Sequence, residues 1–221
     1  MRIWLTTLLL IFTATLGVAE EEPAPETDQK PSIEQIDATH FKIGKISFNS
    51  KTREIEFQTT VNMDEGLLEF LLVHENGKIH ESLLYTDISA TNLNIALTLL
   101  HYKPTHGETL EKASRLQISL KWKEGDKERT ATANELIQHS VKASAMPAGP
   151  WKYFGSAVSN GKYLPQITGD LIAIYTTQSA IITYPGESND DDTVWFPYPK
   201  RVPAVGTPVT LIISPYPEDK P

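Results

Sequence analysis

Apolar residues fall at every second position in "REIEFQTTVN", placing Ile55, Phe57, Thr59 and Val61 on one face of a strand. Upstream, "FKIGKISFN" carries the same alternation, and "NSKT" between the two segments predicts a first hairpin. "RLQISLKWK" alternates strictly, with Leu116, Ile118, Leu120 and Trp122 inward, and "EGDK" turns it into a partner strand from Glu128. The period changes in "TDISATNLNIALTLLHYKP". Leu93, Ala96, Leu97 and Leu100 stand at i, i+3, i+4 and i+7, the stripe of a helix over about 90–101. Ser89 or Thr91 can cap its start, His101 suits its negative end, and Pro104 stops it. A Thr132/Glu135 capping box in "TANELIQHS" predicts a second, short helix over about 133–139. Met146-Pro147 and Gly149-Pro150 mark a candidate sub-domain junction near 146–150. Short strands follow it in "WKYFGSAV", "DLIAIYT", "SAIITYPG" and "TPVTLIIS". The pattern predicts a β-rich α+β fold, antiparallel hairpins packed with one principal helix.

"VHENGKIHESLLYTD", Val73 to Asp87, places Asn-Gly between two runs of strand formers and predicts a two-residue type I′ hairpin turn. That register sets Val73 opposite His80 and His74 opposite Ile79, so the two histidines lie on opposite faces and cannot chelate one ion. A three-residue loop would bring them directly opposite; Asn-Gly favours the shorter one. The "HE" at 74–75 lacks the second histidine at i+4 on a helix that the zinc-protease motif needs. On the hairpin reading Glu69, His80 and Ser82 share one face, with His80 at least half buried beside Val73, Leu71 and Leu84. Such a polar strip is a hydrogen-bond network or a ligand site. A serine nucleophile would need a strained turn and an oxyanion hole, and no G-x-S-x-G supplies them.

The termini and bulk numbers narrow the functions. Arg2, the apolar run Ile3–Val18 and the small residues Gly17-Val18-Ala19 have the layout of a secretory signal peptide cleaved after residue 19. The run is short of the roughly 20 residues a membrane span requires, so no stable span is expected after cleavage. Glu20–Pro31 is acidic and proline-rich, a flexible leader, and residues 32–221 form a single domain. A net charge of −8 without a basic block argues against nucleic-acid binding. The absence of cysteine removes disulfides, thiol catalysis, Cys-ligated zinc, ordinary iron–sulfur clusters and a lipidated cysteine.

Other candidate chemistry is thin. Of the 6 histidines, His101 and His106 are close, but Pro104 and Gly107 put the second in a loop. "ESNDDD", Glu187 to Asp192, is the densest carboxylate cluster; it lacks the glycine and distal glutamate of an EF-hand and reads as a solvated acidic turn, with a calcium-binding loop as the alternative. "WFPYP" beside it reads as buried packing, with a partner or carbohydrate surface as the alternative. No glycine-rich phosphate loop or dinucleotide fingerprint occurs, and no cofactor is implied.

"MDEGLLEFLLVHENGKIHESLLYTD" followed by "LNIALTLL" resembles the YdjY-domain proteins, a family of bacterial envelope proteins, and "WKYFGS", "GDLIAIY" and "GTPVTLIISP" look like the family's second half. Some members carry ferredoxin-like labels or are lipoproteins; without cysteine this chain departs from both. The resemblance implies no established activity and directs attention to Glu69, His80, Glu81 and Ser82. The expectation is a periplasmic or secreted, non-catalytic domain that binds an envelope ligand or protein around "HES" at 80–82. The alternative is a hydrolase or metal-dependent enzyme using His80, Glu81 and Ser82.

Overall fold

The computed structural model describes residues 32–105 and 110–217. The expected signal peptide and leader, residues 1–31, and His106 lie outside them. The first four strands of the described residues form a meander: β1 (Ile33–Gln35), β2 (His40–Ile43), β3 (Ile46–Asn49) and β4 (Ile55–Val61). "FKIGKISFN" is thus two strands, reversed at Gly44-Lys45, and its second half pairs with β4. β5 (Phe70–His74) and β6 (Ser82–Thr86) precede helix α1 (Ala90–Leu99). Next come β7 (Arg115–Glu124), β8 (Lys127–Thr132), β9 (Ile137–His139) and β10 (Ser144–Ala145). The remainder is β11 (Trp151–Tyr153), β12 (Val158–Ser159), β13 (Lys162–Tyr163), the short helix α2 (Leu164–Thr168), β14 (Asp170–Ala173), β15 (Ile182–Thr183), β16 (Trp195–Pro197) and β17 (Pro208–Pro215).

The strands close on themselves. β4, β17, β7, β11, β15, β14, β5 and β6 follow one another by hydrogen bonding, and β6 returns to β4 through Thr60↔Tyr85 and Val61↔Leu84. Closure removes the open edges that a flat sheet would expose. β1 to β3 extend the sheet beyond β4, and β8 folds back along the far half of β7. Because β11 pairs with β7 and β15, strands from both sides of residues 146–150 share this one sheet.

Alternation explains the lining. Ile55, Phe57, Thr59 and Val61 of β4, Leu116, Ile118 and Leu120 of β7, and Val209, Leu211 and Ile213 of β17 are all buried. Helix α1 adds Leu93, Ala96 and Leu97 to the same core. Ser89 Oγ accepts from Asn92 N at 3.3 Å as its cap, and Arg53 Nε donates to Leu100 O at 2.9 Å at its other end. Each Leu, Ile or Phe buried in this way contributes roughly 1.5–3 kcal/mol before the entropy of ordering is subtracted. Among the described residues no helix is long and apolar enough to cross a membrane.

Two local expectations change. The capped segment after Thr132 is a 3₁₀ turn, Ala133–Leu136, with Glu135 Oε2 accepting from Thr132 N at 2.7 Å; the next residues are strand β9, held between β10 and β16. The larger change is at "HENGKIHES". β5 and β6 are neighbours but run parallel, with Phe70 beside Ser82, Leu72 beside Leu84 and His74 beside Thr86. Asn76-Gly77 is therefore not a type I′ hairpin turn, and neither residue has the left-handed φ such a turn demands. Gly77 N donates to His74 O at 2.7 Å, Ile79 N donates to Gly77 O at 2.9 Å, and a 3₁₀ turn over Ile79–Glu81 carries the chain back. The cause is non-local. β5 takes β14 as its antiparallel partner and β6 takes β4, so the parallel contact between them is what closes the barrel.

Candidate functional site

The crossover gathers charge beside the start of β5. Glu69 immediately precedes that strand, and its main chain is fixed on two sides. Its N–H donates to Glu81 O at 3.0 Å, while its carbonyl accepts from Ile174 N at 2.8 Å and Tyr175 N at 2.9 Å. Glu69 and the 3₁₀ turn are thereby locked together, and their carboxylates share one cation. Lys78 Nζ lies 3.5 Å from Glu69 Oε2 and 3.8 Å from Glu81 Oε2, and 5.5 Å from the centre of the Phe70 ring. His80 Nε2 is 3.5 Å from Glu81 Oε1.

Exposure separates the four residues singled out by the sequence. The side chain of Glu69 is 18% exposed and that of Glu81 29%, whereas His80 is 72% exposed. The expectation of a half-buried His80 is corrected: the residue sits on the outward side of a turn rather than on a strand face. Ser82 is at the other extreme, fully buried, with its Oγ donating to Leu84 O at 2.7 Å. The structure therefore brings Glu69, His80 and Glu81 together and sets Ser82 apart.

The electrostatics of the pair are unbalanced. Burial, then the neighbouring Glu81 charge, push the Glu69 carboxyl above its ordinary value of 4.5, and Lys78 only partly opposes them. Glu81 Oε2 is buried without a hydrogen-bond partner, an arrangement that costs free energy until a donor arrives. One ammonium serving two carboxylates leaves an acceptor open to a further cationic donor. The sequence pattern did not single out Lys78 for this role, because as a hairpin residue it faces Glu75. Its spacing of i, i+3 from Glu81 carries the signal only once the segment is helical.

Among the described residues no group of three or more His, Asp or Glu side chains is arranged to hold a metal ion, the Glu69–Glu81 cluster included. His74 and His80 occupy a strand end and a turn, and His74 Nδ1 accepts from Asn76 N at 3.2 Å. In the acidic loop, Glu187 pairs with Lys142 at 2.7 Å, and Asp191 Oδ1 accepts from Thr193 N at 3.0 Å and Thr193 Oγ1 at 2.6 Å. These hydrogen bonds and the Lys142 charge hold both carboxyls below their ordinary range. Of "WFPYP", Trp195 is buried and its Nε1 donates to Ser188 O at 3.0 Å. Two surface grooves, one between the β7–β8 hairpin and the turn after β16 and one along β4 and β6, have no lining from Glu69, His80, Glu81 or Ser82.

The family model of the YdjY domain matches residues 46–214, a span that runs from β3 into β17 and includes the whole Glu69–Glu81 cluster. No curated protein and no solved structure matches the chain.

Proposed function

The chain belongs to the YdjY domain family, and from that premise we propose that it is an exported, non-catalytic binding domain. Its ligand or protein partner presents a cationic hydrogen-bond donor to the Glu69–Glu81 pair. The observation that carries this reading is Glu81 Oε2, buried without a hydrogen bond beside a second carboxylate, its one cation a half-exposed Lys78 held 3.8 Å away and shared with Glu69. An incoming ammonium or guanidinium takes the place of Lys78 and gains charge-assisted hydrogen bonds in a partly desolvated setting. The first 19 residues, with their charged, apolar and small-residue regions, support export.

Binding is favoured over the hydrolase alternative by Ser82, whose hydroxyl is spent on Leu84 O inside the core. A guanidinium probe tests the proposal. Titration of the full chain with an arginine-rich peptide, followed by amide NMR, is expected to shift residues 69–71 and 78–82 and to lose that response in Glu81→Gln. A response that survives in both Glu69→Gln and Glu81→Gln would refute it.

A further inference from the structure

A second site of opposite character lies beside the β7–β8 hairpin, with no lining residue from the Glu69–Glu81 cluster. The β7–β8 hairpin outruns the barrel wall, since only its first residues pair with β11, and the register sets Trp122 opposite Arg129 and Leu120 opposite Ala131. Trp122, Glu124, Arg129 and Ala131 therefore share one face of the hairpin. Facing them are Glu135 and Leu136 of the 3₁₀ turn, and Lys200 and Arg201 of the turn that follows β16. The groove between has a volume of about 480 Å³, within the roughly 300–1,000 Å³ usual for small-ligand sites.

The charges in this groove are not balanced against one another. Glu124 is taken by Arg129 Nε at 2.7 Å, and Glu135 Oε2 is taken by Thr132 N at 2.7 Å and Thr132 Oγ1 at 2.9 Å. Arg201 donates one Nη1 bond to Glu135 O at 3.2 Å and lies over the Tyr198 ring at 3.8 Å, which fixes the guanidinium in place. Lys200 has neither an ion pair nor a hydrogen bond among the described residues. It is also held at φ +63°, a left-handed conformation that disfavours a side chain and favours glycine. Lys200 is thus an exposed, uncommitted cation at the rim of the groove, in a backbone conformation that glycine adopts more readily. On a chain of net charge −8, three cations stand here against two engaged carboxylates.

We propose that this groove binds an acidic saccharide, with a pyranose ring against the partly buried Trp122 and its carboxylate against Lys200 and Arg201. The mixed surface suits a ligand whose faces are apolar and whose rim is polar: Trp122, Ala131 and Leu136 supply the apolar part, and the two cations supply an anion site. The flat apolar surface of Trp122 suits a ring ligand; an acidic peptide laid along β8, an edge strand that also contributes Thr130 to the groove, is the competing outcome that tri-glutamate tests. The site is independent of the Glu69–Glu81 cluster.

Titration of the full chain with tri-galacturonate tests the assignment, with the Trp122 indole N–H as the NMR reporter. Saturable binding that weakens with added salt is expected, at least tenfold tighter than binding of the neutral trisaccharide of galactose. Lys200→Gly is expected to weaken it at least tenfold while the thermal midpoint stays equal or rises, and Lys200→Arg to restore it. Glu81→Gln is expected to leave it unchanged. Equal binding of the neutral trisaccharide, equal or tighter binding of tri-glutamate, no saturation at millimolar saccharide, or unchanged affinity in a folded Lys200→Gly would each overturn the proposal.

Discussion

Gly77 and Gly169 lie back to back. A Cβ placed on Gly169 would stand 2.9 Å from Gly77 Cα, and one placed on Gly77 would stand 3.0 Å from Thr168 O and 3.1 Å from His74 O. The contact sits where β5 ends and β14 begins, clamped by His74 N donating to Gly169 O at 2.7 Å. It allows the short crossover to start directly against the neighbouring strand.

This contact changes the reason Gly77 matters. A type I′ turn would require glycine for its φ; in the structure the requirement is space. Gly77→Val is expected to lower stability by about 1–3 kcal/mol through overpacking against backbone that cannot yield. Gly169→Ala, which adds a side chain at φ +80° as well as a clash, is expected to cost at least as much. Gly161→Ala is the control for Gly169→Ala, because at φ +75° nothing lies within 4 Å of its added methyl, and Gly149→Val, with open space and no positive φ, is the control for Gly77→Val. Urea midpoints of the variants decide the matter: a Gly77→Val chain as stable as Gly149→Val would remove the close-packing argument.

The same crossover shows what was legible in the sequence. Where polar and apolar residues alternate strictly, as in β4 and β7, the buried face and the partner next in sequence followed from the pattern, whereas the pairing of both strands with β17 did not. α1 followed too, its stripe and Ser89 cap standing within two residues of the expected bounds. The failure came at Asn76-Gly77, where a strong local turn signal competed with pairings distant in sequence. One signal did point the other way. "FLLV" and "SLL" are continuous apolar runs, both buried throughout, and continuous runs mark strands buried on both faces rather than a hairpin with one wet side. The site inherits this history. Glu69 and Glu81 come together through the turn that replaced the hairpin, Lys78 joins them for the same reason, and His80 swings out to solvent.

His80 and Ser82 should consequently behave in opposite ways. His80→Ala removes an exposed ring whose nearest charged contact is a 3.5 Å approach to Glu81, and its urea midpoint is expected to correspond to a change within about 0.5 kcal/mol. Ser82→Ala removes a buried donor from Leu84 O and is expected to cost about 0.5–1.5 kcal/mol while leaving binding of the arginine-rich peptide intact. A His80→Ala variant that loses more stability than Ser82→Ala would contradict the placement of both residues.

The final prediction concerns pH and follows from Glu69. Its carboxyl in the folded chain is held above the ordinary value of 4.5, first by burial and then by Glu81. Below 4.5 the group is protonated in both folded and unfolded chains and stability is unaffected. As pH rises through 4.5 the unfolded chain ionises first, and stability is lost until the raised folded value has been passed. The exposed Asp37 acts in the opposite sense. Hydrogen bonds from Thr39 N and His40 N lower it to about 2, so its contribution is present above the ordinary 3.8 and disappears as pH falls toward 2. The whole-chain profile mixes these opposing effects, and the difference between wild type and Glu69→Gln isolates one of them. The two curves of urea midpoint against pH are expected to run closest below 4.5, with the glutamine variant gaining on wild type as pH rises above it. Lys78→Met, which removes the cation opposing the shift, is expected to raise the NMR titration midpoint of Glu69 further. A Glu69 carboxyl that titrates at or below 4.5 in wild type would show that the pair is solvated after all.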